Sequence, residues 1–305
     1  MSPAPQHGTP AGDAFLAIQK LARSTGGDVQ ELLTIYALEG LLARIAASRY
    51  RDDFALKGGV QLAAFSLRRP TRDIDLQATG IANDPTTVLT RVTDIAAINA
   101  DDGLTFDRKT ITAQPIREDE TYAGVRVRLV ATLGRAQIPV GIDVNFGDPI
   151  WPAPTTITMP RLVHIGQRPV RILGYPLPMV IAEKVVTALE RGEANTRWRD
   201  FADILTISST HDIPASDLRA ALQTVAAHRG TLLRPLHLAL TAMPEVAQIK
   251  WSTWRRRQPH ADQLPEQFDD LLRTIAAFTD PVLEDPPPEE GHWNPSRQTW
   301  EGEST

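Results

Sequence analysis

The apolar residues change their period partway along the chain, and that change limits the folds open to it. Between Phe54 and about Tyr175 the clearest segments alternate with period 2. "GVRVRLVATL" (residues 124–133) sorts apolar and polar side chains onto opposite faces, and "AQIPVGIDVNF" (136–146) ends in an apolar–Asp–apolar triplet. "LTFDRKTI" (104–111) alternates less regularly. Beyond Tyr175, residues 179–191, 197–208, 215–227, 232–240 and 265–277 carry apolar positions at helical spacing. Period 2 builds sheet and period 3.6 builds helix. The expected class is therefore α/β (α+β): a mixed sheet with flanking helices over residues 13–175, then a helical domain over 176–282.

The shorter elements fill in around this division. Apolar positions from Phe15 to Ile45 read as two helices broken at "STGGD", where Gly26 and Gly27 suit a helix end and Asp28 the next N-cap. A strand is expected near Phe54–Leu56, a helix over Val60–Leu67 and a strand over Ile74–Ala78. A helix between Asn83 and Asp101 opens on Pro85, and "RPVRIL" is one more strand. Residues 1–12, rich in Pro, Gly and small side chains, are expected to be disordered. The proline-rich acidic tail, 283–305, is expected to wrap the surface or to lack order.

Composition narrows the setting. There is no cysteine, so disulfides and thiolate metal sites are excluded, and a reducing cytoplasm fits. No run approaches the roughly 18 apolar residues of a membrane span, and the N-terminus lacks a basic segment followed by an apolar one. A cytoplasmic protein with no membrane partner is expected. The net charge of −5 provides no global basic footprint, so any contact with nucleic acid must come from a local patch.

The chemistry concentrates in "FALKGGVQLAAFSLRRPTRDIDLQA" (54–78). Asp73 and Asp75 flank Ile74, so in a strand both carboxylates share one face while Ile74 enters the core. Two adjacent carboxylates repel unless a cation lies between them. A hard divalent ion answers this, and Mg²⁺ favours one or two carboxylates plus substrate phosphate oxygens. Asp143, in "GIDVNFG", becomes a third metal ligand if its strand neighbours the first. Gly58 and Gly59 follow a strand and open a helix, exposing backbone N–H groups suited to phosphate. Lys57 precedes them, with its side chain free to point to the site or away from it. Alone, a D-x-D reads equally as a solvated strand edge, and Gly-Gly as a turn; their joint order points to one phosphate and metal site.

These residues resemble the nucleotidyltransferase superfamily that includes DNA polymerase β and the aminoglycoside nucleotidyltransferases. Its pattern is Gly-Gly or Gly-Ser, a spacer, an apolar-flanked D-x-D and a later carboxylate. The longer phrase "FALKGGVQL…RRPTRDIDL" resembles more closely the AbiEii/AbiGii toxin family, including MenT-type toxins. "IAEKVVTALERGEANTRWRDFADI" resembles that family's second pair of motifs, a Lys in one helix and D-x-x-D in the next. The resemblance implies Asp73 and Asp75 as catalytic metal ligands and the Gly58–Gly59 backbone as the triphosphate seat; Lys57 and Arg72, placed beside these motifs in the sequence, are the further expected nucleotide contacts. It implies Lys184 and Asp200 as catalytic partners, with Asp203 supporting. The implied reaction is Mg²⁺-dependent transfer of NMP from an NTP to RNA, specifically a tRNA 3′ end, in a cleft between the domains. It blocks translation, and a cognate antitoxin encoded nearby is the implied counterpart. Two other readings stand beside it: an antibiotic-modifying nucleotidyltransferase and a nucleotide-binding regulator without catalysis.

Further charged residues surround the motif. Arg68, Arg69 and Arg72 stand near the D-x-D entrance, where they can meet nucleotide phosphate or RNA backbone or remain in solvent. Thr71, two residues before Asp73, is a candidate regulatory phosphosite, since a phosphate there sets negative charge against the carboxylates. "WSTWRRRQ" (251–258) offers either an RNA-facing patch or, as a helix, inward-packed Trp251 and Trp254 with exposed arginines. No histidine pair has metal-ligand spacing.

Overall fold

Residues 6–118, 122–258, 261–284 and 291–302 are described by the computed structural model. Residues 1–5 of the segment expected to be disordered, and 285–290 and 303–305 of the tail, lie outside them. The chain forms two units: residues 1–148 with 154–175, and residues 149–153 with 176–305.

In the first unit, α1 (Pro10–Thr25) begins at Thr9, whose side chain accepts a hydrogen bond from the Gly12 amide, and closes at Gly26. The Asp28 carboxylate then accepts from the Glu31 amide at 2.8 Å and starts α2 (Val29–Ala47), so "STGGD" works as helix end and N-cap. β1 (Phe54–Lys57) runs straight into α3 (Gly58–Gln61), a single turn that tightens to 3₁₀ over Leu62–Phe65. The helix expected over Val60–Leu67 thus starts earlier and ends sooner. The chain must turn back within this span to pair β1 with the next strand, and a short 3₁₀ turn suits such a connection.

That strand is β2 (Asp73–Ala78), followed by α4 (Pro85–Ala96) with Asp84 as its N-cap. Then come β3 (Leu104–Glu118), β4 (Tyr122–Leu133), β5 (Ala136–Asn145), β6 (Thr155–Met159) and β7 (Val170–Gly174). β6 has no counterpart in the sequence reading; its five residues "TTITM" follow a proline-punctuated stretch and form a short edge strand. The seven strands make one mixed sheet in the order β3-β4-β5-β2-β1-β7-β6. β2 is interior, antiparallel to β1 and parallel to β5.

Register decides what each face carries. Leu56, Leu76, Val144 and Val125 align across four strands, and Ile74, Ile142 and Val127 across three. All are buried in one core cluster with Tyr36, Leu41 and Ile45 of α2 and Val88 and Val92 of α4. On the opposite face, Lys57 aligns with Asp75, Asp143 and Arg126, and Asp73 with Gly141 and Arg128. One face is apolar and helix-covered, and the other carries charge.

The second unit contains α5 (Leu177–Arg191), α6 (Trp198–Ser208), β8 (Ile213–Pro214), α7 (Ala215–Arg229), α8 (Leu236–Ala239), α9 (Met243–Arg255), α10 (Phe268–Leu283), β9 (Gly291–Asn294) and β10 (Thr299–Gly302). The helix expected over 232–240 is only the single turn α8, since Pro235 sets its start. Trp251 and Trp254 on α9 stack with centroids 5.3 Å apart, and Trp251 is fully buried, which is the packing alternative for "WSTWRRRQ". Residues 291–302 of the acidic tail form a hairpin, with Trp293 buried against Phe278 and Trp300 stacked on the same ring. Among the described residues no helix is long and apolar enough to cross a membrane.

Candidate active site

The turn between β1 and β2 is built around close approaches to its glycines. Gly58 has φ of +71°, a conformation that other residues adopt only with strain. A Cβ there would also collide with Oδ2 of Asp75. The carboxylate thus sits directly against the Gly58 backbone. At Gly59 the neighbour is a cation: a Cβ would meet the Arg69 guanidinium at 3.0–3.1 Å. Of the two glycines that the sequence sets before the two aspartates, Gly58 meets Asp75 and Gly59 meets Arg69.

Asp73 and Asp75 sit two residues apart on β2, on the charged face. Asp73 receives Nη1 of Arg128 at 2.5 Å, with both side chains partly open to solvent. Asp143 lies beside Asp75 in register and is held by Arg126 through Nε at 2.8 Å and Nη2 at 2.6 Å. A two-pronged guanidinium contact uses both carboxylate oxygens. Gly141 makes the Asp73–Arg128 contact feasible, because a Cβ there would collide with both partners. Arg126, Arg128 and Gly141 were not assigned to the site from sequence. The two arginines alternate in "GVRVRL", which shows that they share a face, but only the pairing of β4 with β5 sets them opposite the aspartates.

The other expected nucleotide contacts differ in placement. Lys57 is 6% exposed; its ammonium meets Asp148 at 2.9 Å and lies 5.3 Å from the centroid of the Tyr175 ring. Arg72 is exposed, and its charge opposes the burial that raises the Glu31 carboxyl on α2. The Thr71 hydroxyl donates to the Asp73 carbonyl at 3.4 Å, so Thr71 borders the D-x-D through a main-chain contact.

In the second unit, Lys184 on α5 is held by both acids of α6: Asp200 at 3.0 Å and Asp203 at 2.7 Å. Asp200 also lies 3.4 Å from Nε of Arg197. The D-x-x-D spacing puts the acids on one helix face, where they share one ammonium. All three side chains are largely buried.

Among the described residues no group of three or more His, Cys, Asp and Glu is arranged to hold a metal. The pair on β2 still fits a hard divalent cation that takes its remaining ligands from substrate phosphates and water. Its donors are all oxygen, they share one face, and at least Asp73 is reached by solvent.

Residues 40–274 match the family model described as "Nucleotidyl transferase AbiEii toxin, Type IV TA system". Comparison with curated proteins returns no match. Among solved structures, the MenT4 nucleotidyltransferase toxin of Mycobacterium tuberculosis aligns at 18% identity with TM-score 0.49, covering 72% of this chain and 74% of its own. JHP933 of Helicobacter pylori aligns at 14% identity with TM-score 0.47, covering 84% of this chain and 94% of its own.

Proposed function

The chain belongs to the AbiEii nucleotidyltransferase toxin family of type IV toxin–antitoxin systems, and from that premise we propose that it adds NMP from an NTP to the 3′ end of tRNA, blocking translation. Family membership makes the chain a nucleotidyltransferase, with an NTP as substrate and an antitoxin as its counterpart. The observation that carries the reading of the site is the close approach of Asp75 to Gly58. It sets a metal-competent carboxylate against the backbone proposed to seat the triphosphate.

Asp73 and Asp75 would hold Mg²⁺, which when bound supplies positive charge to the phosphates and lowers the pKa of the attacking hydroxyl. Asp143 is a further metal ligand in this proposal, one that must first leave Arg126. Gly58 and Gly59 admit phosphate oxygens close to the main chain, with Lys57 and Arg72 adding positive charge. The acceptor oxygen bonds to the α-phosphorus as pyrophosphate leaves. Lys184 and Asp200 are proposed to serve the same reaction, Lys184 offsetting phosphate charge as it develops, with Asp203 in support. A single-stranded acceptor end suits such chemistry, because it reaches an active site without duplex melting.

The test is incubation with each labelled NTP, Mg²⁺ and total tRNA. Label is expected on tRNA with wild type, and is expected to disappear with D75A. Label on an aminoglycoside-type acceptor alone would replace tRNA with a small molecule, and NTP binding without transfer would point to a regulator. Thr71 is proposed as the point of control, phosphorylation there setting a dianion beside Asp73. Intact mass spectrometry after co-expression with the neighbouring gene should show a gain of one phosphate, lost in T71A; an unmodified wild type removes the idea.

A further inference from the structure

Glu39 is a carboxylate set in an apolar helix. It lies on α2 beside Leu38 and Leu41 and is 1% exposed. A buried charge is costly unless it is paired and hydrogen-bonded, and this one is both. Oε1 receives Nη1 of Arg68, and Oε2 receives the Leu162 amide at 2.9 Å. Nη2 of Arg68 donates to the Pro160 carbonyl at 2.7 Å, and Nη1 of Arg161 to the Glu39 carbonyl at 3.3 Å. This carboxylate therefore ties two stretches to α2: the loop that leads into Asp73 and the segment following β6. Nothing in the transfer chemistry above uses it.

The residue after Arg68 is Arg69, whose guanidinium covers Gly59. Nη1, Cζ and Nη2 lie 3.0, 3.1 and 3.1 Å from the place a Cβ would occupy. Near-equal distances put the flat face of the guanidinium over the glycine, and Nη1 also donates to the Pro70 carbonyl at 3.3 Å. The loop's arginines therefore do different work. Arg68 is committed to Glu39, Arg72 is exposed with its charge felt at Glu31, and Arg69 lies over the Gly-Gly turn.

We propose that Arg69 binds the triphosphate of the incoming NTP, and that Glu39 is the positioning residue that keeps it over Gly59 through Arg68. The proposal rests on the nucleotidyltransferase reading above. A guanidinium offers a planar fork of donors that matches phosphate oxygens. Its use depends on being held in place, because a long side chain on an untethered loop loses rotamer freedom when it binds. A surface ion pair would restrain that loop weakly. A buried carboxylate that also accepts a main-chain N–H fixes it from the core side.

The experiment measures steady-state transfer and, separately, calorimetric binding of inorganic triphosphate to the full-length protein. R69Q is expected to weaken triphosphate binding by about tenfold or more, with a matching loss in kcat/KM for NTP. E39Q is expected to raise KM for NTP several-fold with kcat held within about twofold. The double variant is expected to resemble R69Q alone, since Glu39 acts through Arg69. Wild-type triphosphate affinity in R69Q would overturn the proposal. So would an E39Q that lowers stability but leaves KM unchanged, or a double variant whose losses multiply. Should E39Q fail to fold, R68Q tests the same tether by the same KM readout. If the wild type transfers no nucleotide, the functional reading fails, and triphosphate binding still decides the role of Arg69.

Discussion

At the scale of single residues, the site depends on side chains that are absent as much as on those present. Gly58→Ala adds a methyl where the Asp75 carboxylate lies and imposes a positive φ worth about 1–2 kcal/mol of strain. Transfer should fall by at least a hundredfold while the thermal midpoint moves by only a few degrees, as paired assays on one preparation would show; a folded, fully active G58A would refute the assignment. Glu39 makes a prediction in pH. Burial raises its carboxyl above the ordinary value, against the opposing pull of Arg68, the Leu162 amide and Arg161, and Tyr36 also senses its charge. The folded chain therefore keeps this proton to higher pH than the unfolded chain does. By linkage, the group's contribution to stability falls as pH rises from the unfolded to the folded pKa. The ion pair with Arg68 needs the opposite condition, so KM for NTP should rise as pH is lowered through the folded pKa. In wild type, stability from urea unfolding and KM for NTP should thus both fall as pH rises, so that stability is lost while apparent affinity is gained, and both dependences should flatten in E39Q. The glycines and Asp75 were legible in sequence because they are neighbours along a short strand–turn–strand. Glu39 was not, because a lone acid in a helix says nothing about a loop that meets it only after folding.

At the scale of elements, β4 and the α5–α6 pair show where local pattern stops informing. Alternation in "GVRVRL" identifies a strand and gives Arg126 and Arg128 a common face. Which aspartates they meet is fixed by ten consecutive pairings with β5, and a shift of one residue would send both arginines to the core face. The helices α5 and α6 followed from periodicity, whereas the sharing of Lys184 between Asp200 and Asp203 required their packing. That sharing has a consequence for mutagenesis. Lys184→Ala strands two largely buried carboxylates and should cost about 3–5 kcal/mol, measurable by denaturant unfolding. Loss of activity in K184A is therefore informative only beside that measurement; unchanged stability would mean that the triad contributes little to the fold. The hairpin of β9 and β10 was hidden by its proline-rich, acidic surroundings. Trp293 fills the core there and donates Nε1–H to the Ser208 carbonyl at 2.6 Å, so Trp293→Ala should destabilise by about 3–5 kcal/mol. A thermal midpoint equal to wild type would show the hairpin to be dispensable.

At the scale of the whole molecule, the change of hydrophobic period near Tyr175 marks a change from sheet to helix, yet the two units are not two uninterrupted lengths of chain. Residues 149–153 cluster with the second unit, and the chain then returns to complete the first with β6 and β7. Composition shows "DPIWPAP" only as punctuation; its membership of the later unit depends on tertiary contacts that no local pattern records. Expressed alone, residues 176–305 should be cleaved by protease faster than the same region within the full chain, because the fragment lacks that segment. Equal rates would show the segment to be ornamental. For the gene, this interleaving has an evolutionary meaning. A single crossover at codon 175 would give a new second unit to an old first one, but would leave behind five codons that belonged with the departed part. Such shuffling would begin from a mismatched pair, so inheritance of the two halves together is favoured by the path of the chain itself.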